Sequence, residues 1–123
     1  MNNKPVLAIT MGDPASIGPE ITAKALLNNE VYKICRPVVV GDAAVFKNIV
    51  ERLKLNLTIN SIEIVSDAKF QYGTIDVLDL KNVNTEKFEF GKIDAMCGHA
   101  SFEAVKKAIE LALACEVDAT VTG

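Results

Sequence analysis

Short apolar runs rich in β-branched residues alternate along this chain with stretches of helical spacing, and that alternation restricts the folds open to it. PVLAITM (Pro5 to Met11) shows no strict period of two, the pattern of a strand covered on both faces. RPVVVGD (Arg36 to Asp42) and TIDVLDL (Thr74 to Leu80) read as further strands, and EVDATVTG begins a last one. Strand, loop and helix in repeated succession predict a layered α/β fold with a mainly parallel sheet and flanking helices. In such folds ligands bind beyond the carboxyl ends of the strands.

The stretches between the strands carry helix signals. Gly18-Pro19-Glu20 reads as a helix start, since Pro19 suits the first helical position and Glu20 complements the positive end of the dipole. Ile17, Ile21 and Ala25 then mark one face, and this helix is expected to end near Asn28-Asn29. Asp42 is placed to cap the next helix, where Phe46, Ile49, Val50 and Leu53 recur at i, i+3, i+4 and i+7. LNLTINSIEIV alternates through Leu55, Leu57 and Ile59 and resumes one residue out of phase at Ile62 and Ile64, which predicts a bend or bulge near Asn60-Ser61. Lys81 to Lys92 reads as an irregular connection. A long helix is expected from about Ile93 to Cys115, with Phe102, Val105, Ile109 and Ala112 as its apolar stripe and Glu103 paired with Lys107 on its solvated side.

Composition narrows the function classes. The chain has 123 residues, half of them hydrophobic, and a net charge of −3, so it can build one ordinary core. Its 13 Lys and Arg are scattered, which leaves no electrostatic footprint for nucleic acid. No apolar run is long enough to span a bilayer and no signal core precedes the first strand, so a cytoplasmic location with no membrane partner is expected. Cys35, Cys97 and Cys115 are odd in number and far apart, as expected of reduced thiols; the Ala-rich surroundings of Cys97 and Cys115 predict inert packing.

One stretch exceeds what a simple reversal needs. GDPASIGPE (Gly12 to Glu20) spends two glycines, two prolines and an aspartate on one strand-to-helix turn, which points to a loop shaped around a ligand. It is neither GxGxxG nor GxxxxGK[ST], so the two common nucleotide loops are absent. It offers one acid, Asp13, and a helix N-terminus whose N–H groups can face an anion or a dinucleotide. Asp13 can bind a ligand hydroxyl, orient a basic group, or cap its own turn, and the residues alone leave these open.

ITMGDPASIGPEI (Ile9 to Ile21), together with GKIDAMCGHASFEAVKKAIELALACEVDATVTG (Gly91 to Gly123), resembles the 4-hydroxythreonine-4-phosphate dehydrogenase family of pyridoxal phosphate biosynthesis. The family's first block reads GDPAGIGPE, so Ser16 stands where the family usually has Gly, a change that bears on the detailed shape of the turn. The resemblance implies a fold similar to isocitrate and isopropylmalate dehydrogenases, a homodimer, and a cleft between two α/β domains. It implies oxidation of 4-phosphohydroxy-L-threonine, a phosphorylated four-carbon hydroxy acid, by NAD or NADP, followed by decarboxylation. A divalent metal (zinc, magnesium or cobalt) is implied as Lewis acid.

The family's metal-binding histidines and its substrate-holding His-Thr and Lys residues match nothing in these residues; the single histidine, His99, reads as structural or surface. The chain thus reads as truncated, residues 1–123 forming the N-terminal part of a two-domain dehydrogenase that is inactive alone. No catalytic or metal-binding residue is expected here. By analogy with the related dehydrogenases, Gly12, Asp13, Ile17 and Gly18 are the expected cofactor-binding residues. A dehydrogenase of threonate or erythronate 4-phosphate, and a non-catalytic α/β binding module, are the competing readings.

Overall fold

A computed structural model describes residues 4–14, 17–83 and 95–122. Five strands form one wholly parallel sheet: β1 (Val6–Thr10), β2 (Arg36–Gly41), β3 (Thr58–Ile62), β4 (Thr74–Asp79) and β5 (Ala119–Val121), in the order β3-β4-β2-β1-β5. The helices are α1 (Gly18–Ala25), α2 (Asn29–Ile34), α3 (Ala43–Arg52) and α4 (Ala95–Leu113). The layered α/β fold expected from the alternation is present, and β2 and β4 are buried on both faces, β4 with Asp76 among its buried residues.

Successive residues of β1 face opposite layers. Met11, at the end of β1, packs with Ala23 and Leu26 of α1, Tyr32 of α2 and Phe46 and Ile49 of α3. Val6 and Ala8 pack instead with Ala104, Ala108 and Leu111 of α4. α1 to α3 therefore cover one face and α4 the other. β2 is reached from β1 through α1 and α2, and β3 from β2 through α3, all on one face, whereas β5 is reached from β4 through α4 on the other, so the chain leaves for opposite faces between the neighbouring strands β2 and β4. Asp118 anchors the far end of β5, its N–H donating to the Val6 carbonyl at 2.8 Å and its carboxylate accepting from the Val6 N–H at 2.7 Å.

Several local expectations are corrected. The first helix ends at Ala25, and Asn28 starts α2 as its N-cap, accepting from Glu30 N–H at 3.0 Å. In α1 the buried residues are Pro19, Thr22, Ala23 and Leu26, whereas Ile17 and Ile21 are 65% and 55% exposed. β3 has no bulge at Asn60-Ser61: its ladder with β4 runs unbroken from Thr58 to Ile62. The phase change has another cause, for Leu57 and Ile59 pack on the α3 side while Ile62 and Val65 pack on the α4 side.

The stripe expected on α4 points outward, with Phe102 63% and Ile109 52% exposed. The buried face is Cys97, Ala100, Ala104, Ala108 and Leu111, whose small alanines at every fourth position let the helix lie close on the sheet. α4 stops at Leu113, and Cys115, with a φ of 60°, terminates it in the left-handed conformation; Cys115 is exposed, while Cys97 is buried as expected. Glu103 turns back to His99 at 3.4 Å instead of forward to Lys107. Ser16 and most of the stretch from Lys81 to Lys92 lie outside the described residues.

Candidate functional site

All five parallel strands present their carboxyl ends to the same side, the end at which open α/β sheets bind ligands where loops diverge to opposite faces. Here the exits of β2 and β4 diverge, and the segment leaving β1 borders that gap, Met11 Sδ accepting the Asp42 N–H at 3.4 Å. The neck of this segment is narrow. Gly12 has a φ of 76°, the left-handed region that a side-chain-bearing residue seldom enters. At Gly18 an added Cβ would lie 2.7 Å from the Met11 carbonyl oxygen, so only glycine lets the two ends of the loop approach so closely.

The four residues expected to hold cofactor are thus brought to one place. Gly12 and Gly18 close the neck, Asp13 is half-buried, and Ile17 is exposed at the N-cap of α1. Ile17 makes no side-chain cap hydrogen bond to α1, Pro19 has no N–H, and Glu20 lies in the first turn. A helix N-terminus suits a dinucleotide's pyrophosphate.

The other acids at this end of the sheet build loops. Asp42 accepts from Ala44 and Val45 N–H at 2.9 and 3.4 Å as the N-cap expected of it, and from Val83 N–H at 3.0 Å. Asp79 accepts from Ala43 and Lys81 N–H at 3.2 and 3.0 Å and from the Ser61 hydroxyl at 3.0 Å. Among the described residues, no group of three or more His, Cys, Asp or Glu comes together in a way that could hold a metal ion. His99 sits on the exposed side of α4. Burial pushes the Cys35 thiol up from its ordinary range, which keeps it protonated and unreactive; its Sγ–H donates to the Val31 carbonyl at 3.3 Å.

Two hollows flank the region. One, of about 220 Å³ and almost wholly apolar, lies between α1 and β5 and is lined by Ile9, Ile21, Thr22, Ala25, Leu26 and Val121 among others. The other, of about 260 Å³, lies beyond β4 against α4 and is lined by polar residues including Asn82, His99, Glu103 and Lys106. No helix among the described residues is long and apolar enough to cross a membrane. Sequence reasoning missed Met11 and Gly41, which pack under the loop, because their meeting depends on the pairing of β1 with β2.

Comparison with known proteins gives a consistent result. The profile of the family described as "Pyridoxal phosphate biosynthetic protein PdxA" matches residues 33–123. A relative from Halalkalibacterium halodurans, provisionally named D-threonate 4-phosphate dehydrogenase, is 47% identical over 122 residues, and one of the same provisional name from Clostridium botulinum is 44% identical over 122 residues. Each alignment covers 99% of this chain and 36% of the relative, so the chain spans little more than a third of their length. The crystal structure of a 4-hydroxythreonine-4-phosphate dehydrogenase from Burkholderia phymatum superposes with a TM-score of 0.94 at 38% identity, over 98% of this chain and 36% of that one.

Proposed function

The chain belongs to the PdxA family of pyridoxal phosphate biosynthetic proteins, and from that premise we propose that residues 1–123 form the dinucleotide-side wall of the active-site cleft of a dehydrogenase acting on a phosphorylated four-carbon hydroxy acid. The observation that carries this reading is the narrow-necked loop from Gly12 to Gly18 at the carboxyl end of the parallel sheet, bordering the gap where β2 and β4 lead to opposite faces.

A bound NAD or NADP supplies the acceptor for the hydride leaving the substrate's secondary alcohol carbon. The residues of this chain bind and orient. Backbone groups at the start of α1 meet the pyrophosphate, Gly12 and Gly18 let the loop close tightly behind it, and Asp13 meets a hydroxyl at the polar edge. Ile17, exposed beside them, offers apolar contact. The described residues do not fit a divalent metal, and no step is assigned to one in this chain. Homodimer formation and a cytoplasmic location belong to the same proposal, by family resemblance.

Relatives named for D-threonate 4-phosphate share 44% and 47% of their residues with this chain, against 38% for the structure named for 4-hydroxythreonine-4-phosphate. The higher identity favours D-threonate 4-phosphate. The two acids differ in a hydroxyl or an amine beside the carboxylate, a group that these residues give no means to read.

Replacing Asp13 by Ala in the intact gene product tests the site. Loss of the contact is expected to lower kcat/KM for the dinucleotide by roughly 1 to 3 kcal/mol with the melting temperature kept. Unchanged kinetics with a lowered melting temperature would show that Asp13 only caps its turn, worth about 1 kcal/mol of stability.

A further inference from the structure

Building on the reading of the loop from Gly12 to Gly18 as a dinucleotide-binding wall, we propose that Gly41 and Met11, both outside that loop, are the residues that set its position. Met11 is fully buried at the end of β1, and its N–H donates to the Val40 carbonyl at 3.1 Å. Its side chain crosses to β2 and fills the space above Gly41. A Cβ at residue 41 would lie 2.6 Å from Met11 Sδ, 2.8 Å from Cγ and 2.9 Å from Cβ, distances that real packing does not allow.

The same methionine is tied on two further sides. Its sulfur accepts the buried Asp42 N–H at 3.4 Å, which joins it to the residue that caps α3 and holds the Val83 N–H. Its carbonyl oxygen lies against Gly18, at the other end of the loop. A side chain at residue 41 must therefore displace Met11, and Met11 carries both ends of the neck with it. Packing this dense transmits such a shift instead of absorbing it. Gly41 touches no ligand under this scheme; it acts through Met11 as a positioning residue.

The test is calorimetric titration of NAD and NADP into the intact gene product, with melting temperature and steady-state kinetics measured alongside. Gly41→Ala is expected to raise the dinucleotide Kd about tenfold, short of the hundredfold that a displacement of about 1 Å can bring. Turnover at saturating dinucleotide should stay within about twofold. Met11→Leu keeps the core volume and deletes the sulfur acceptor, so it should fold and raise Kd in the same direction even where Gly41→Ala does not fold. Lowered melting temperatures with unchanged Kd would overturn the proposal, leaving Gly41 and Met11 as packing alone. Asp13→Ala separates the two readings. If it raises Kd while Gly41→Ala and Met11→Leu do not, the loop is the site and the positioning role is wrong. If none of the three changes Kd, the reading of the loop fails and this inference falls with it.

Discussion

Tyr32 ties three parts of the chain together. Its hydroxyl donates to the Thr74 carbonyl at the start of β4 at 3.0 Å, its ring meets Tyr72 edge-on with centroids 6.0 Å apart, and its carbonyl accepts from Lys4 Nζ at 2.6 Å. Burial, with the nearby charge of Asp76, pushes its phenol up from 10.0 to about 12. Below pH 10 both folded and unfolded states keep the proton, and the contribution is complete. Between 10 and 12 the unfolded chain loses its proton first, so stability falls as pH rises. Tyr32→Phe is expected to lower stability at neutral pH by about 1 kcal/mol and to flatten the alkaline decline. Melting curves across that range check this, and equal alkaline slopes in both proteins would contradict it. Legibility at this scale follows sequence distance. Asp42 could be read as a cap because the N–H groups it accepts from lie two and three residues ahead. Asp76 could not, since the buried carboxylate accepts from Asn60 Nδ2 and from the Lys69 and Phe70 N–H groups, all brought to it by the β3–β4 pairing.

Among the elements, the strands and three of the four helices were legible, and the faces of two of those helices were not. Large apolar residues at helical spacing are normally taken for the core side, yet α4 buries Ala100, Ala104 and Ala108 and turns Phe102 and Ile109 outward. Close helix-on-sheet packing selected for small volume, which hydrophobicity alone does not register. α1 repeats the pattern with Thr22 and Ala23 inside and Ile17 and Ile21 outside. α2 was missed because its six residues are too few to establish a period. Exposed Phe102, Ile109 and Leu113 lie along one helix, and surfaces of this kind drive association. The 123-residue chain alone is expected to self-associate through them, and the triple change Phe102→Ser, Ile109→Ser, Leu113→Ser to shift sedimentation toward monomer. A monodisperse monomer at high concentration before any substitution would contradict this.

For the molecule as a whole, alternating strands and helices were enough to foresee a parallel sheet, but not the order of its strands. That β3 lies outside β4 and that β5 joins the far side of β1 depend on pairings between distant segments. With that order the loop after β1 borders the gap where β2 and β4 lead to opposite faces, and on this placement rests the proposal that Gly12 to Gly18 is a site as well as a turn. Hydrogen–deuterium exchange of the intact gene product, with and without saturating NAD or NADP, tests the claim most directly. Bound dinucleotide is expected to slow exchange at the amides from Gly12 to Glu20 while leaving α3, on the same side of the sheet, unchanged. Binding with no protection across Gly12 to Glu20 would contradict it.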